Sequence, residues 1–171
     1  MVTGHEIAME LRAAYWAMHR QTDACFARHG VTANQFVLLA LLAEDDGITQ
    51  QQLVQRASSD PNTVRAMLVL LESRGLVSRK RHPDDGRARN VTLTRKGRQT
   101  YNKLLEKSEP LREQLLAAFH PEQADALVGF LNRISDAMEQ VENRRQRRTA
   151  VSITRNDNMH KTTIKKEKEN E

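Results

Sequence analysis

The chain has 171 residues, 27 Lys or Arg against 22 Asp or Glu, a net charge of +5 and one cysteine, and no apolar run approaches the ~20 residues that a bilayer span needs. This length suits one domain with a real core rather than two. The lone Cys25 precludes an internal disulfide, and the start MVTGHEIAMELRAAYW lacks the basic opening and short apolar block of a signal peptide, so a soluble cytoplasmic protein without membrane association is expected.

Helical periodicity dominates. From His5 to His29 the apolar positions Ile7, Leu11, Ala14, Tyr15, Met18 and Phe26 recur at three- and four-residue spacing, and Gly30 is placed to end the helix. Thr32-Ala33-Asn34-Gln35 reads as a capping box and opens a helix through Phe36, Leu38, Leu39, Leu41 and Leu42, which Asp45-Asp46-Gly47 breaks. Thr49 to Gln52 repeats the box ahead of Leu53, Val54 and Ala57. At Ser59-Asp60-Pro61 an aspartate suited to capping precedes a proline suited to the first helical position. The helix that follows buries Val64, Met67, Leu68 and Leu71, ends at Gly75, and turns Asn62, Arg65, Ala66, Val69 and Ser73 the other way.

Leu76 to Arg79 and Asn90 to Leu93 alternate apolar with polar around the turn residues Pro83-Asp84-Asp85-Gly86, which predicts a β-hairpin. Helical pattern resumes through Tyr101, Leu104, Leu105, Leu111 and Leu115, with a bend expected at Pro110. Pro121 opens a last helix through Leu127, Phe130, Leu131, Ile134, Met138 and Val141. Residues 149–171 are polar and nearly free of large apolar groups, which predicts a basic, disordered tail behind a domain of residues 1–148.

Charge is concentrated. Residues 65–98 carry ten Lys or Arg against three acids, and residues 143–171 carry nine against four, while the rest of the chain is slightly acidic. A helix followed by a basic hairpin suits duplex DNA, because the helix fits the major groove and a ribbon tip reaches the neighbouring minor groove. On that reading Asn62 and Arg65 have the donors to read adenine and guanine edges, and Ser59, Thr63 and the amides of the helix start face phosphate. Ala66, Val69 and Leu70 are apolar beyond the buried stripe. They either touch thymine methyls or extend the core, and the core is the preferred reading. Thr49, Gln50, Arg79, Lys80 and Arg81 are expected at phosphates, with Arg95, Lys96 and Arg98 adding to the basic flank of the hairpin.

Residues 5–145 resemble the MarR family of winged-helix transcriptional regulators. The resemblance is strongest at Asp85-Gly86-Arg87-Ala88-Arg89-Asn90-Val91-Thr92-Leu93-Thr94, with support from Thr63-Val64, Leu71-Glu72 and Gly75-Leu76-Val77. It implies a mainly α fold, a winged helix-turn-helix of about residues 32–98 with a short β-hairpin wing between N- and C-terminal dimerisation helices. It further implies that Arg87 enters the minor groove, held by Asp85, with Arg89 alongside. The partners it implies are double-stranded DNA, a second copy of the chain, and a small, often anionic aromatic effector that releases a repressor. Tyr15, Trp16 and His19 are candidates to line such an effector's pocket, although dimer or core packing is the preferred reading of them.

Other chemistries lack support. The six histidines form no HxxxH pair and have no cysteine at ligand spacing, so no metal and no cofactor is expected. Cys25 raises oxidation sensing, another mode of this family, but an inert buried thiol is preferred. There is no Gly-rich phosphate loop and no GxSxG, so an enzyme is not expected. The alternative from another class is a winged-helix module whose basic hairpin meets a protein or RNA without promoter specificity.

Overall fold

The computed structural model describes residues 1–81, 89–141, 143 and 144. Helix α1 spans Gly4–Phe26, one residue earlier than expected, because Thr3 and Glu6 form a capping box that the sequence reading passed over. The Glu6 amide donates to the Thr3 hydroxyl at 3.2 Å and the Thr3 amide donates to the Glu6 carboxylate at 2.7 Å. A 3-10 turn at Ala27–His29 follows, and Gly30 closes it in the left-handed region at φ 63°. Helices α2 (Ala33–Glu44) and α3 (Gln50–Arg56) start on the expected boxes at Thr32 and Thr49. Helix α4 (Pro61–Ser73) has Pro61 in its first turn, and the Asp60 carboxylate accepts from the amides of Asn62 at 3.0 Å and Thr63 at 2.9 Å.

Strands β1 (Val77–Arg81) and β2 (Arg89–Leu93) form an antiparallel hairpin, in register from Val77 opposite Leu93 to Arg81 opposite Arg89. The expected turn at Pro83 to Gly86 lies outside the described residues. The far edge of β2 is occupied by the segment after α2: Gly47 N donates to Val91 O at 3.1 Å, Val91 N to Ile48 O at 2.9 Å, and Leu93 N to the Asp46 carboxylate at 2.8 Å. Helices α5 (Arg95–Lys107) and α6 (Glu109–Ala117) break at Ser108, where a bend was expected from Pro110. Pro110 lacks an amide hydrogen and therefore sits in the first turn of α6, where that hydrogen has no acceptor. Helix α7 (121–141) begins at Pro121.

The described residues divide into two compact units, parted between Leu115 and Leu116. The core of the first joins Phe26 of α1 to Leu38, Leu39 and Leu42 of α2, Leu53 of α3, Val64, Leu68 and Leu71 of α4, Val77 and Val91 of the hairpin, and Leu104 of α5. Phe36 links three helices, with ring centroids 4.8 Å from Phe26 and 5.6 Å from Tyr101. Most of the apolar stripe of α1 stays outside this core, since Ile7, Tyr15, Trp16 and Met18 are exposed. In the second unit, Leu127, Leu131, Met138 and Val141 form an exposed stripe at helical spacing on α7.

Two contacts fix α4 against the hairpin and α5. Glu72, near the end of α4, accepts from Arg79 Nε at 2.9 Å and Nη2 at 2.5 Å on one oxygen, and from the Arg79 amide at 3.1 Å on the other. These bonds, led by the guanidinium, hold the Glu72 carboxyl below the usual range. At the start of α5, Gly97 lies so close to the Leu76 carbonyl that a Cβ there would stand 1.9 Å from the oxygen.

Gly97→Ala therefore forces α5 off the exit of α4 and should cost about 1–3 kcal/mol, the usual range for overpacking, measured by urea denaturation. Glu72→Gln should cost about 1 kcal/mol, since the bond is charge-assisted but its carboxylate is partly in water. A carboxyl depressed on folding contributes stability above its unfolded pKa and loses it as pH falls through the folded value. The stability gap between wild type and Glu72→Gln should accordingly be full at neutral pH and close in acid.

Candidate nucleic-acid interface

Helix α4 presents two faces. Val64, Leu68 and Leu71 are fully buried, whereas Asn62, Thr63, Arg65, Ala66, Val69 and Leu70 are exposed. The preferred expectation that the apolar residues beyond the buried stripe extend the core is overturned: Val69 is 48% and Leu70 54% exposed. The reason is angular. At about 100° per residue they lie far from the Val64–Leu71 stripe, and among the described residues of the first unit no element reaches round to cover them.

The residues placed before α4 have specific local roles. Ser59 is half-buried in the turn between α3 and α4, its amide donating to Val54 O at 3.3 Å. Thr63 hydrogen-bonds hold the Asp60 carboxyl below its ordinary range and keep it an anion that caps α4. Thr49 is engaged in its own cap, its hydroxyl donating to Gln52 Oε1 at 2.9 Å and accepting from the Gln52 amide at 3.2 Å, and Gln50 beside it is half-buried.

The hairpin brings like charges together. Arg81 and Arg89 stand opposite one another on the last described rung, both exposed, and Lys80 on the preceding rung is exposed as well. Side chains directly opposite on antiparallel strands share a face, where like charges repel. Asp85 and Arg87 lie outside the described residues. Arg79, expected among the phosphate contacts, has 14% side-chain exposure and donates from Nε and Nη2 to Glu72, so that it also positions the hairpin.

Further cations counted toward the basic block also have internal partners. Lys96 Nζ donates to the Arg74 carbonyl at the end of α4, and Arg98 Nη1 to the Ala43 carbonyl near the end of α2, each at 2.8 Å. Cations at helix C-termini complete carbonyls that the helix leaves unpaired. A sequence count of charge cannot see such partners. Spacing could have indicated them, because Lys96 and Arg98 follow directly on the Thr94 cap that brings α5 against α4.

Tyr15, Trp16 and His19 form a triangle on α1 with all ring centroids 5.5 Å apart. Both larger rings are exposed, while His19 is tied to Asp23 at 3.2 Å, and Asp23 in turn accepts from the Ala33 amide at 2.6 Å. Cys25 is half-buried, its thiol donating to the Lys107 carbonyl at 3.2 Å. Among the described residues no cluster of His, Cys, Asp or Glu could hold a metal ion, and no helix is long and apolar enough to cross a membrane.

These features agree with the comparisons. The MarR family model matches residues 31–88, the segment from the entry to α2 up to the residue before β2. The HTH-type transcriptional regulator YdgJ of Bacillus subtilis is 30% identical over 137 residues, which are 80% of this chain and 82% of that protein. The transcriptional regulator HosA of Escherichia coli O111:H- is 28% identical over 63% of this chain and 79% of its own. Among solved structures, the transcriptional repressor CouR bound to a 23-mer DNA duplex is similar with a TM-score of 0.69 at 27% identity, over 79% of this chain and 99% of that one. Bordetella bronchiseptica BpsR, described with regulation of its DNA binding by 6-hydroxynicotinic acid, is similar with a TM-score of 0.71 at 26% identity, over 80% and 97%. A chain with these relatives, a helix-turn-helix whose second helix keeps its outer face exposed, and a basic hairpin beside it belongs to the MarR family of winged-helix transcriptional regulators.

Proposed function

We propose that this regulator is a homodimeric repressor that binds a pseudo-palindromic operator and is released by a small, anionic aromatic ligand. The observation that carries the DNA contact is the pairing of Arg81 with Arg89 across the hairpin next to an uncovered α4. Two guanidiniums facing each other cost stability in the free protein, and a polyanion removes that cost while giving up its own counterions. In this reading α4 enters the major groove with Asn62 and Arg65 at base edges and Ala66 among them. Ser59, Thr63, Thr49, Gln50 and Lys80 stand toward phosphate, and Arg87, ordered by Asp85, reaches the minor groove, where a narrow groove concentrates negative potential.

The homodimer is supported by the exposed apolar stripes on α1 and α7, which a second copy would cover. Two α4 helices related by a two-fold axis would meet successive major grooves roughly 34 Å apart. For the ligand, BpsR offers a precedent by its description, and Tyr15, Trp16 and His19 offer flat apolar area with donors. Release then follows from a ligand that prefers one spacing of the two α4 helices over another.

The direct test is selection of duplexes from a random library by the full chain. A pseudo-palindrome with half-sites about one helical turn apart is expected, while binding without sequence preference, or preference for RNA, would overturn the reading. On the selected duplex Arg81→Ala should weaken binding and reduce the slope of log affinity against log salt by about 1. Arg87→Ala should weaken specific binding more than Lys80→Ala. In sedimentation equilibrium the wild type should be a dimer, and Leu131→Asp should raise the dimer dissociation constant by more than about tenfold, the equivalent of ~1.4 kcal/mol.

A further inference from the structure

We propose that Ala66 and Val69 read thymine, by packing against its C5-methyl group in the major groove; this rests on the DNA-binding reading above and adds what α4 recognises. The helical pitch, about 100° per residue, groups Asn62, Ala66, Val69 and Ser73 within roughly 60° of one another, opposite Val64 and Leu71. The two apolar side chains therefore occupy the middle of the outward face rather than its border with the core. Both are exposed, Val69 at 48%.

Three physical points favour a methyl group as the occupant. The strip itself holds Asn62, its flanks carry Arg65 on one side and Leu70 and Thr63 on the other, and the hairpin beyond is basic, so the surface that surrounds it complements a polyanion better than an apolar protein. Among groups on base edges in the major groove, the thymine methyl is the apolar one, and small aliphatic side chains are its usual partners. Ala66 and Val69 are three residues apart, about 4.5 Å along the helix axis, close to the 3.4 Å rise per base pair, so the two can face methyls on neighbouring steps. Asn62, one turn before Ala66, is then set to donate to an adenine nearby, and the half-site is expected to be rich in A and T at its centre.

Deoxyuridine in place of thymidine tests this directly, because it removes the methyl and keeps the pairing. On the duplex selected above, each thymine of one half-site is replaced singly by uracil, and affinities of wild type and Val69→Ala are compared at one salt concentration. Circular dichroism should show both proteins equally folded, since Val69 contributes nothing to the core. Wild type should lose about fourfold at one or two positions, the equivalent of one buried methyl. Val69→Ala should bind the thymine duplex more weakly and be insensitive to uracil at the position Val69 touches.

No loss at any uracil position would overturn the proposal while leaving the operator intact. Equal losses for both proteins at every sensitive position would also overturn the role of Val69, because the methyl would then act through DNA shape. Failure to select any preferred duplex would remove the DNA reading and this inference together.

Discussion

The carbonyl of Leu76 is the point on which the reading surface depends. It accepts from the Thr94 amide at 3.1 Å and from the Thr94 hydroxyl at 3.2 Å, and Gly97 packs against it where no Cβ fits. Leu76 itself follows directly on the end of α4, with its amide donating to Leu71 O at 2.9 Å and Gly75 in the left-handed region at φ 68°. One peptide thus joins the end of the recognition helix, the base of the hairpin and the start of α5. The relative placement of helix and hairpin is held by these bonds to backbone together with the Glu72–Arg79 pair, and a surface proposed to match two grooves at once benefits from that rigidity.

Electrostatics then divides into a supporting set and a presenting set. Arg79, Lys96 and Arg98 lie within the basic segment, yet each is bound inside the domain, to Glu72, the Arg74 carbonyl and the Ala43 carbonyl. Lys80, Arg81 and Arg89 are left toward solvent on the hairpin. Glu72 also feels Arg89, which contributes to the lowering of its carboxyl. Glu72 thereby orders a guanidinium beneath the exposed pair and softens the repulsion above it. Local conflict of this kind is common where a surface is shaped for a partner that brings the opposite charge.

Much of the fold was legible because its signals are local. Thr32, Thr49 and Asp60 act through amides two or three residues away, Gly30 and Gly75 through their own φ angles, and Pro121 through its missing amide hydrogen, so composition and spacing suffice. The Thr3 box carries the same signal, two residues ahead of His5, where the periodic stretch begins. What was not legible is long-range. Arg79 resembles any other cation of the hairpin until the chain folds and Glu72 arrives seven residues away across the turn. Gly97 looks like a weak point in a helix until Leu76 O is set against it.

The apolar residues make the same distinction from the other side. Periodicity identifies Ile7, Leu127 and Leu131 as members of helical stripes, and stripes imply a cover, yet within this chain they are exposed. Val69 and Leu70 belong to no such stripe, and a sequence reading that treats every surplus apolar residue as core assigns them inward. The structure separates the cases by extent. A stripe that runs the length of α1 or α7 is broad enough to call for another protein surface, which in the proposed homodimer a second copy supplies by symmetry. Ala66, Val69 and Leu70, bordered by Asn62, Thr63 and Arg65, form a patch far shorter than those stripes, and Ala66 and Val69 match the size of methyl groups on a base edge. Extent of exposed apolar surface, together with the polarity of its border, therefore separates the face proposed to assemble the regulator from the face proposed to read its operator.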